Sequence, residues 1–390
     1  METEYFDLLD YYDDDSYLII MYKHIKQIKN IKRTHIAKAI NVPLTTYRSL
    51  ELDDFKKNKQ VLFKALQYLD INTNIKRENV EKLNEIIKKK FYYLYYSNYK
   101  TINKLPLEKE FIDVFNNSIF EYIYKSIEYL LKIKSRDYRL DDLILFLLDN
   151  KYLLNIINNN EKIICSIPYL LIYSLKKDNN NYYNLLNNLC NIEIKDTYLK
   201  GFMYYVFSSS LHYLHDYNKS IYYVMKNENI LILHNNYFRL GYLKHILMEN
   251  YYQLENYNGI LDEIDNLINW AVCIDDDFLL YYLNILKINT LLKINKIVEI
   301  DVIMKYFIDN NIFYNEVILI IHYLNIVYRK NYFKYIPKDY KLNDDLENYL
   351  KIINSKAIKF KKEKDYINYI EKKYNYKIIS ILNKYLLQKK

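Results

Sequence analysis

The side chains of this chain best suited to a chemical task are the basic residues between Tyr22 and Lys64. Eleven lysines and arginines fall in this segment against three acids, a local excess of +8 that equals the formal charge of the whole chain. Dense positive charge on a short segment is typical of surfaces that bind the phosphate groups of nucleic acids. The sequence therefore favours a polyanionic partner.

Other residues with suitable types and spacing do not complete a reactive site. His212 and His215 have the i, i+3 spacing of two metal-ligating imidazoles, but no nearby cysteine or carboxylate cluster completes a ligand set. The run from Asp275 to Asp277 lacks calcium-loop spacing and is predicted to cap a helix. The three cysteines form no C-x-x-C pair. We therefore predict that the protein is not an enzyme and has no metal and no cofactor.

The composition predicts which elements must position the basic residues. With 3 glycines and 4 prolines in 390 residues, the chain has almost no material for tight hairpins or phosphate-binding loops. An all-α fold is therefore expected. No apolar run approaches the ~20 residues of a transmembrane helix, and no basic leader precedes the first acids. We predict a cytoplasmic protein without a membrane partner.

Two short helices separated by a tight turn are predicted between Arg33 and Glu51. Ile36 and Ile40 share one helical face, and Asn41 can adopt the left-handed conformation of a turn. Pro43 can open the second helix because its missing N–H is not needed there. This pattern predicts a helix-turn-helix.

The chain divides into four predicted segments. Residues 1–16 form an acidic N-terminal tail, residues 17–71 the helix-turn-helix domain, residues 72–96 a linker helix, and residues 97–390 a series of amphipathic helices. Residues 1–21 carry seven acids and no lysine or arginine. This acidic segment could shield the basic one, although we favour a solvated tail.

An internal repeat is visible in the C-terminal segment. Gly201 is followed by Tyr217 at the same interval at which Gly241 is followed by Tyr257. A glycine lets two helices approach closely, and an aromatic ring fills the seam between hairpins. This part resembles the tetratricopeptide repeat family, although its repeats are longer than is usual for that family. The resemblance implies a TPR-like right-handed α-solenoid.

The N-terminal motif resembles the lambda-repressor-like, or XRE, helix-turn-helix family. The residues that match the family pattern in register are Ile36, Ala37, Ile40, Asn41, Val42, Thr46, Tyr47, Leu50 and Glu51. The chain departs from that pattern with Asn41 in place of glycine, Pro43 in place of a capping serine, and Leu44 at a position that is commonly polar.

The resemblance implies that the second helix of the motif enters the major groove of double-stranded DNA. The DNA-contacting residues it implies are Leu44, Thr45, Arg48 and Ser49 towards the groove, with Arg33 and Thr46 near phosphates. A homodimer is expected because one helix-turn-helix reads only a half-site.

The order of the two parts resembles the peptide-sensing regulators of the Rgg and PlcR type and the arbitrium receptor. The resemblance implies a transcriptional regulator whose repeats bind a short signalling peptide, as in quorum sensing, and thereby control how a homodimer presents its DNA-binding domains. The peptide-binding residues expected on the concave face are Tyr205, Ser209, Tyr242, His245, Glu249 and Asn250.

A second hypothesis assigns the chain to a different class. In it the helical repeats are a protein-interaction scaffold and the basic N-terminal domain binds no specific DNA. Specific binding to an operator favours the regulator, whereas indifference to DNA favours the scaffold.

Overall fold

A computed structural model describes residues 7–13, 15–51, 58–96, 109–134, 141–330, 332–337, 340, 343–354, 370, 377–379 and 381. Every regular element in these ranges is a helix, and no strand occurs among them. The all-α fold expected from the composition is thus confirmed. The contacts divide the chain into two compact units, residues 1–250 and residues 251–390.

The helices described in the first unit range from 5 to 19 residues in length. In chain order they are α1 (Leu8–Asp13), α2 (Ser16–Ile28), α3 (Arg33–Ala39), α4 (Leu44–Glu51), α5 (Lys59–Tyr68), α6 (Arg77–Tyr95), α7 (Lys109–Asp113), α8 (Ile119–Lys134), α9 (Asp141–Asp149), a 3₁₀ helix (Lys151–Asn155), α10 (Asn159–Leu175), α11 (Asn179–Cys190), α12 (Thr197–Tyr213), α13 (Tyr217–Leu233) and α14 (Tyr237–Gln253). The unit boundary falls in the last turn of α14.

The second unit continues with helices of similar length. They are α15 (Tyr257–Cys273), α16 (Asp277–Lys293), α17 (Ile297–Asp309), α18 (Asn315–Tyr328), a 3₁₀ helix (Phe333–Tyr335) and α19 (Asp344–Asn354). Its core is a cluster of aliphatic and aromatic side chains centred on α16, α17 and α18.

Helices α3 and α4 form the predicted helix-turn-helix. Asn41 adopts the expected left-handed conformation, with φ at 55°. The N–H of Val42 donates to the carbonyl of Ala37 over 2.9 Å, which closes α3 with the bond pattern typical of a left-handed helix end. Both α3 and α4 pack against α5. Ile36 is completely buried, as its place on the apolar face predicts.

The predicted acidic tail is partly a packed helix. Leu8 and Tyr11 in α1 are buried, and α1 packs on α6. The tail prediction is therefore wrong for residues 8–13, because two apolar side chains at i, i+3 give this acidic helix a face to bury. The acids lie on its outer side, where Asp13 forms an ion pair with Arg77.

The predicted linker helix is a core helix of the first unit. Leu83, Ile87 and Phe91 of α6 are fully or almost fully buried, and α6 packs on α1 and α8. Helix α2 in turn contacts α8 and the 3₁₀ helix at 151–155. The ring of Tyr17 lies 5.2 Å from that of Phe120. The helix-turn-helix thus shares its core with the helices that follow it.

Helices α12 to α16 follow one another at a constant interval along the chain. Each is 17 residues long. They begin at positions 197, 217, 237, 257 and 277, with α17 following at position 297. The predicted repeat landmarks fall at equivalent places, since Gly201 and Gly241 lie in the second turns of α12 and α14, while Tyr217 and Tyr257 open α13 and α15. One predicted repeat therefore corresponds to one pair of helices.

The turns between these helices share one backbone conformation and, in most cases, one type of helix cap. One left-handed residue occupies each turn, at His215, Asn235, Glu255, Asp275 and Asn295. The next residue usually caps the following helix, as Asp216 does by accepting a hydrogen bond from the N–H of Lys219. This pairing of a left-handed end with an N-cap turns the chain within a short connection.

Gly201 permits the close helix approach that the sequence predicts. A Cβ atom at this position would lie 2.9 Å from Cγ2 of Ile230 in α13 and 3.0 Å from the hydroxyl of Tyr95 in α6. Both distances are shorter than an ordinary van der Waals contact, so a larger residue would force these side chains or their helices to shift.

Candidate functional site

Helix α4 turns a polar face outwards and an aromatic anchor inwards. Thr45 and Arg48 are exposed, Leu44 and Thr46 are half-buried, and Tyr47 is fully buried. Of the residues assigned to the major groove by resemblance, Thr45 and Arg48 are therefore accessible to a partner. Ser49 lies in the last turn of α4, and its side chain falls outside the part of the chain that the structure describes.

The anchor that fixes the orientation of α4 is a pair of tyrosines. The hydroxyls of Tyr22 in α2 and Tyr47 in α4 are in direct contact, and their rings meet edge-on with centroids 6.5 Å apart. Both side chains are almost completely buried. One hydroxyl donates to the other and the two rings pack edge-on, so the contact is directional as well as hydrophobic. It sets which face of α4 points to solvent.

Exposed cations lie on α3 and α4 and at the residue that precedes α3. Lys32, Arg33, Lys38 and Arg48 are all exposed, and no acid occurs between residues 22 and 50. Arg33 opens α3, where the resemblance expects a phosphate contact. The surface formed by α3 and α4 is therefore electrostatically suited to a phosphate backbone.

A buried histidine joins the helix-turn-helix to the 3₁₀ region. Nε2 of His24 lies 2.7 Å from Oδ1 of Asn150, and the ring is nearly parallel to that of Tyr152, with centroids 6.3 Å apart. Burial lowers the pKa of His24, although the hydrogen bond to Asn150 opposes this shift. The hydrogen-bonded, stacked ring holds α2 against this region.

Two of the predicted peptide-binding residues are inaccessible. Tyr205 is buried, with its ring 4.4 Å from the guanidinium carbon of Arg239. Asn250 is fully buried and uses its amide to bind His212 over 2.8 Å and Ser220 over 2.8 Å. Neither side chain is accessible to a peptide in this conformation, because both are buried between helices.

The other four predicted peptide-binding residues are only partly buried. Ser209 lies on α12, and Tyr242, His245 and Glu249 lie on α14. Nε2 of His245 is 3.5 Å from a carboxylate oxygen of Glu249. Together these side chains carry hydroxyl, imidazole and carboxylate groups that could bind a polar ligand.

Arg239 is the polar centre of the first unit, and no pattern in the sequence pointed to it. This arginine is 1% exposed, and its Nε donates to the carbonyl of Tyr95 over 2.7 Å. A second guanidinium N–H donates to the carbonyl of Leu94, and the amide of Asn236 donates to Tyr95 as well. A cation at a helix C-terminus is favourable, so Arg239 fastens the end of α6 to α14.

The candidate metal ligands have local partners instead. His212 binds Asn250, and Nδ1 of His215 lies 2.8 Å from the hydroxyl of Tyr217. Asp276 caps α16 by accepting from the N–H of Leu279, as the sequence predicts. Within the described ranges no three His, Cys, Asp or Glu side chains are grouped to hold a metal ion.

Among the described helices, none combines the length and apolarity needed to cross a lipid bilayer. Comparison of the chain with protein-family models, curated proteins and solved structures finds no match.

Proposed function

We propose that the protein is a DNA-binding transcriptional regulator that acts as a homodimer in the cytoplasm and responds to a short signalling peptide. The observation that carries the proposal is the exposed face of α4, where Thr45 and Arg48 stand on a helix anchored by buried Tyr47. An arginine and a threonine on a rigid helix suit hydrogen bonding to base edges.

Electrostatics supports the same proposal. Exposed lysines and arginines on α3 and α4 occupy a stretch without acids, so each phosphate contact releases counterions from DNA. A single helix-turn-helix reads a half-site, and a dimer would double the contact and set the spacing of the operator. In this proposal the protein works by binding and catalyses no reaction.

The proposed peptide site is formed by Ser209, Tyr242, His245 and Glu249. These side chains are partly accessible and polar, which suits the backbone amides of an extended peptide. A bound peptide would act on α14, and Arg239 of that helix holds the end of α6. Because α6 packs on α1 and α8, a change in α14 on peptide binding would be transmitted to the core that supports the helix-turn-helix.

The proposal is tested by an electrophoretic shift assay. The purified protein is added to DNA from upstream of its own gene, across a series of salt concentrations and with random DNA as competitor. Arg48→Ala and Thr45→Ala should each weaken specific binding by about tenfold or more, with helicity retained. Lys195→Ala, which removes an exposed cation outside the motif, is the control and should bind like the wild type. Equal specific affinity in all four proteins would exclude α4 from the interface.

The scaffold hypothesis has one observation in its favour. Tyr222, Met225 and Leu233 on α13 are large apolar side chains that are about half or more exposed, as at protein-binding surfaces. A protein that binds DNA weakly, without preference for its upstream region, would support this second function.

A further inference from the structure

A concave pocket lies beside the helix-turn-helix. Its volume is about 510 Å³, within the usual range of small-molecule sites of roughly 300–1,000 Å³. It runs along the second half of α2 and the turn into α3, and one residue of the 3₁₀ helix completes it. The lining residues are Tyr22, Lys23, Lys26, Gln27, Asn30, Ile31, Arg33 and Tyr152.

The lining has the chemistry of an anion site. Three cations, Lys23, Lys26 and Arg33, border the pocket, and none of the described residues that line it is acidic. Lys23 and Lys26 are one helical turn apart and so share a face of α2. Lysine ammonium groups and an arginine fork are the usual protein donors to phosphate oxygens.

We propose that this pocket binds a phosphate group. A phosphate can come from a free nucleotide, which the pocket is large enough to accept, or from the backbone of duplex DNA held by α3 and α4. The DNA source rests on the function proposed above, whereas the nucleotide source does not.

The position of the pocket gives its occupant a structural effect. Tyr152 belongs to the 3₁₀ helix, whereas Lys23, Lys26 and Arg33 belong to α2 and α3. A ligand in contact with both sides would tie the helix-turn-helix more firmly to the helices that follow. Occupancy would therefore raise the affinity for DNA if the docked arrangement is the one that binds it.

The experiment compares the wild type with the double variant Lys23→Gln/Lys26→Gln. The matched control is Lys176→Gln/Lys195→Gln, which removes two exposed lysines elsewhere in the first unit. Glutamine keeps the helix propensity of lysine, and circular dichroism checks the fold. Calorimetric titrations use ATP and inorganic pyrophosphate as probes. The salt dependence of DNA binding is measured on the same proteins.

A free-phosphate site predicts that ATP and pyrophosphate bind the wild type and the control equally, and the pocket variant at least tenfold more weakly. A backbone site predicts no binding of either probe. Instead, the negative slope of log K against log salt becomes shallower by about 2, in the pocket variant only. The variant loses two phosphate contacts, and each contact contributes about 0.9 to the steepness of the slope.

The proposal is overturned if all three proteins show the same probe affinities and the same salt slope, including the case in which no probe binds. The two proposals fail separately. A wild type that ignores its upstream DNA but binds pyrophosphate through these lysines refutes the regulator and supports the pocket. If the wild type binds its upstream DNA specifically and the pocket variant changes neither probe binding nor the salt slope, the regulator is supported and the pocket is refuted.

Discussion

At the scale of single residues, Asn227, like Asn289, is a fully buried asparagine whose two amide atoms lack hydrogen-bond partners among the described residues, and Asn227 is the one that the repeat lets us compare. At the equivalent positions of the next two helix pairs stand Leu267 and Phe307, both buried apolar residues. An unsatisfied buried amide costs about 1–3 kcal/mol. Asn227 therefore lowers the free energy of unfolding, with no compensating hydrogen bond from the part of the chain that the structure describes.

We expect Asn227→Leu to raise the free energy of unfolding by about 1–3 kcal/mol, because leucine has a similar shape and no polar atoms to desolvate. The matched control is Asn236→Leu. Asn236 is equally buried, but its amide donates to Tyr95 and accepts from the N–H of Arg239, so its loss should be destabilising. Urea denaturation measures both, and a destabilising effect of both substitutions would contradict this account of Asn227.

At the scale of elements, the docking of α1 depends on a buried acid. The hydroxyl of Tyr11 in α1 donates to Glu161 of α10 over 3.2 Å and accepts from the N–H of Asn158 over 2.8 Å. Burial raises the pKa of Glu161 to about 7, and the charges of Asp10 and Asp7 also raise it. The helix thus packs most favourably on a protonated carboxyl.

The sign of the pH dependence follows from that shift. The pKa of Glu161 is about 7 when folded and 4.5 when exposed, so between these values the folded state binds more protons. The stabilisation is complete below pH 4.5 and is lost as the pH rises through 7. We expect Glu161→Gln to match the wild type near pH 5 and to melt at a higher temperature at pH 8.

Thermal melting at the two pH values measures this difference. Glu193→Gln, at an exposed position, should leave the pH dependence unchanged. A Glu161→Gln variant whose melting temperature tracks the wild type from pH 5 to pH 8 would show that Glu161 is ionised throughout.

Elements were predictable where a local rule governs them. The left-handed turn at Asn41 and the repeat landmarks Gly201 and Gly241 follow from backbone preference and spacing. The sequence suggests only a weaker third copy, around Ile294, because Tyr281 and Ile297 replace the glycine and the tyrosine at the equivalent positions. The sequence did not distinguish side chains buried between helices from side chains at the protein surface.

Tyr205 and Asn250 show why. Tyr205 lies on the same helix as Ser209, and Asn250 on the same helix as Glu249. Tyr205 and Asn250 are nevertheless buried, whereas Ser209 and Glu249 are only partly buried. Helical periodicity fixes which residues share a face, but whether that face meets another helix or solvent depends on non-local packing. The burial of Arg239 against the distant end of α6 is likewise a long-range property.

At the scale of the whole molecule, the helix-turn-helix is part of a larger core. Tyr17 is 4% exposed and packs on Phe120, while His24 is fully buried against Asn150. Both partners lie beyond residue 71, outside the segment that the sequence marks as a domain. A segment of about 55 residues buries little apolar surface by itself, and here it would also expose these two side chains.

We therefore expect residues 17–71, expressed alone, to lose most of their helicity, whereas residues 1–250 should retain it and unfold cooperatively. Circular dichroism and amide dispersion in NMR spectra measure the difference. In the longer fragment, Phe120→Ala should lower the melting temperature of the α3–α4 region together with that of α8, because Tyr17 loses its partner. A 17–71 fragment with native helicity would instead make the helix-turn-helix autonomous. Under the proposed function, the peptide would then have to act through the arrangement of the proposed dimer rather than through the shared core.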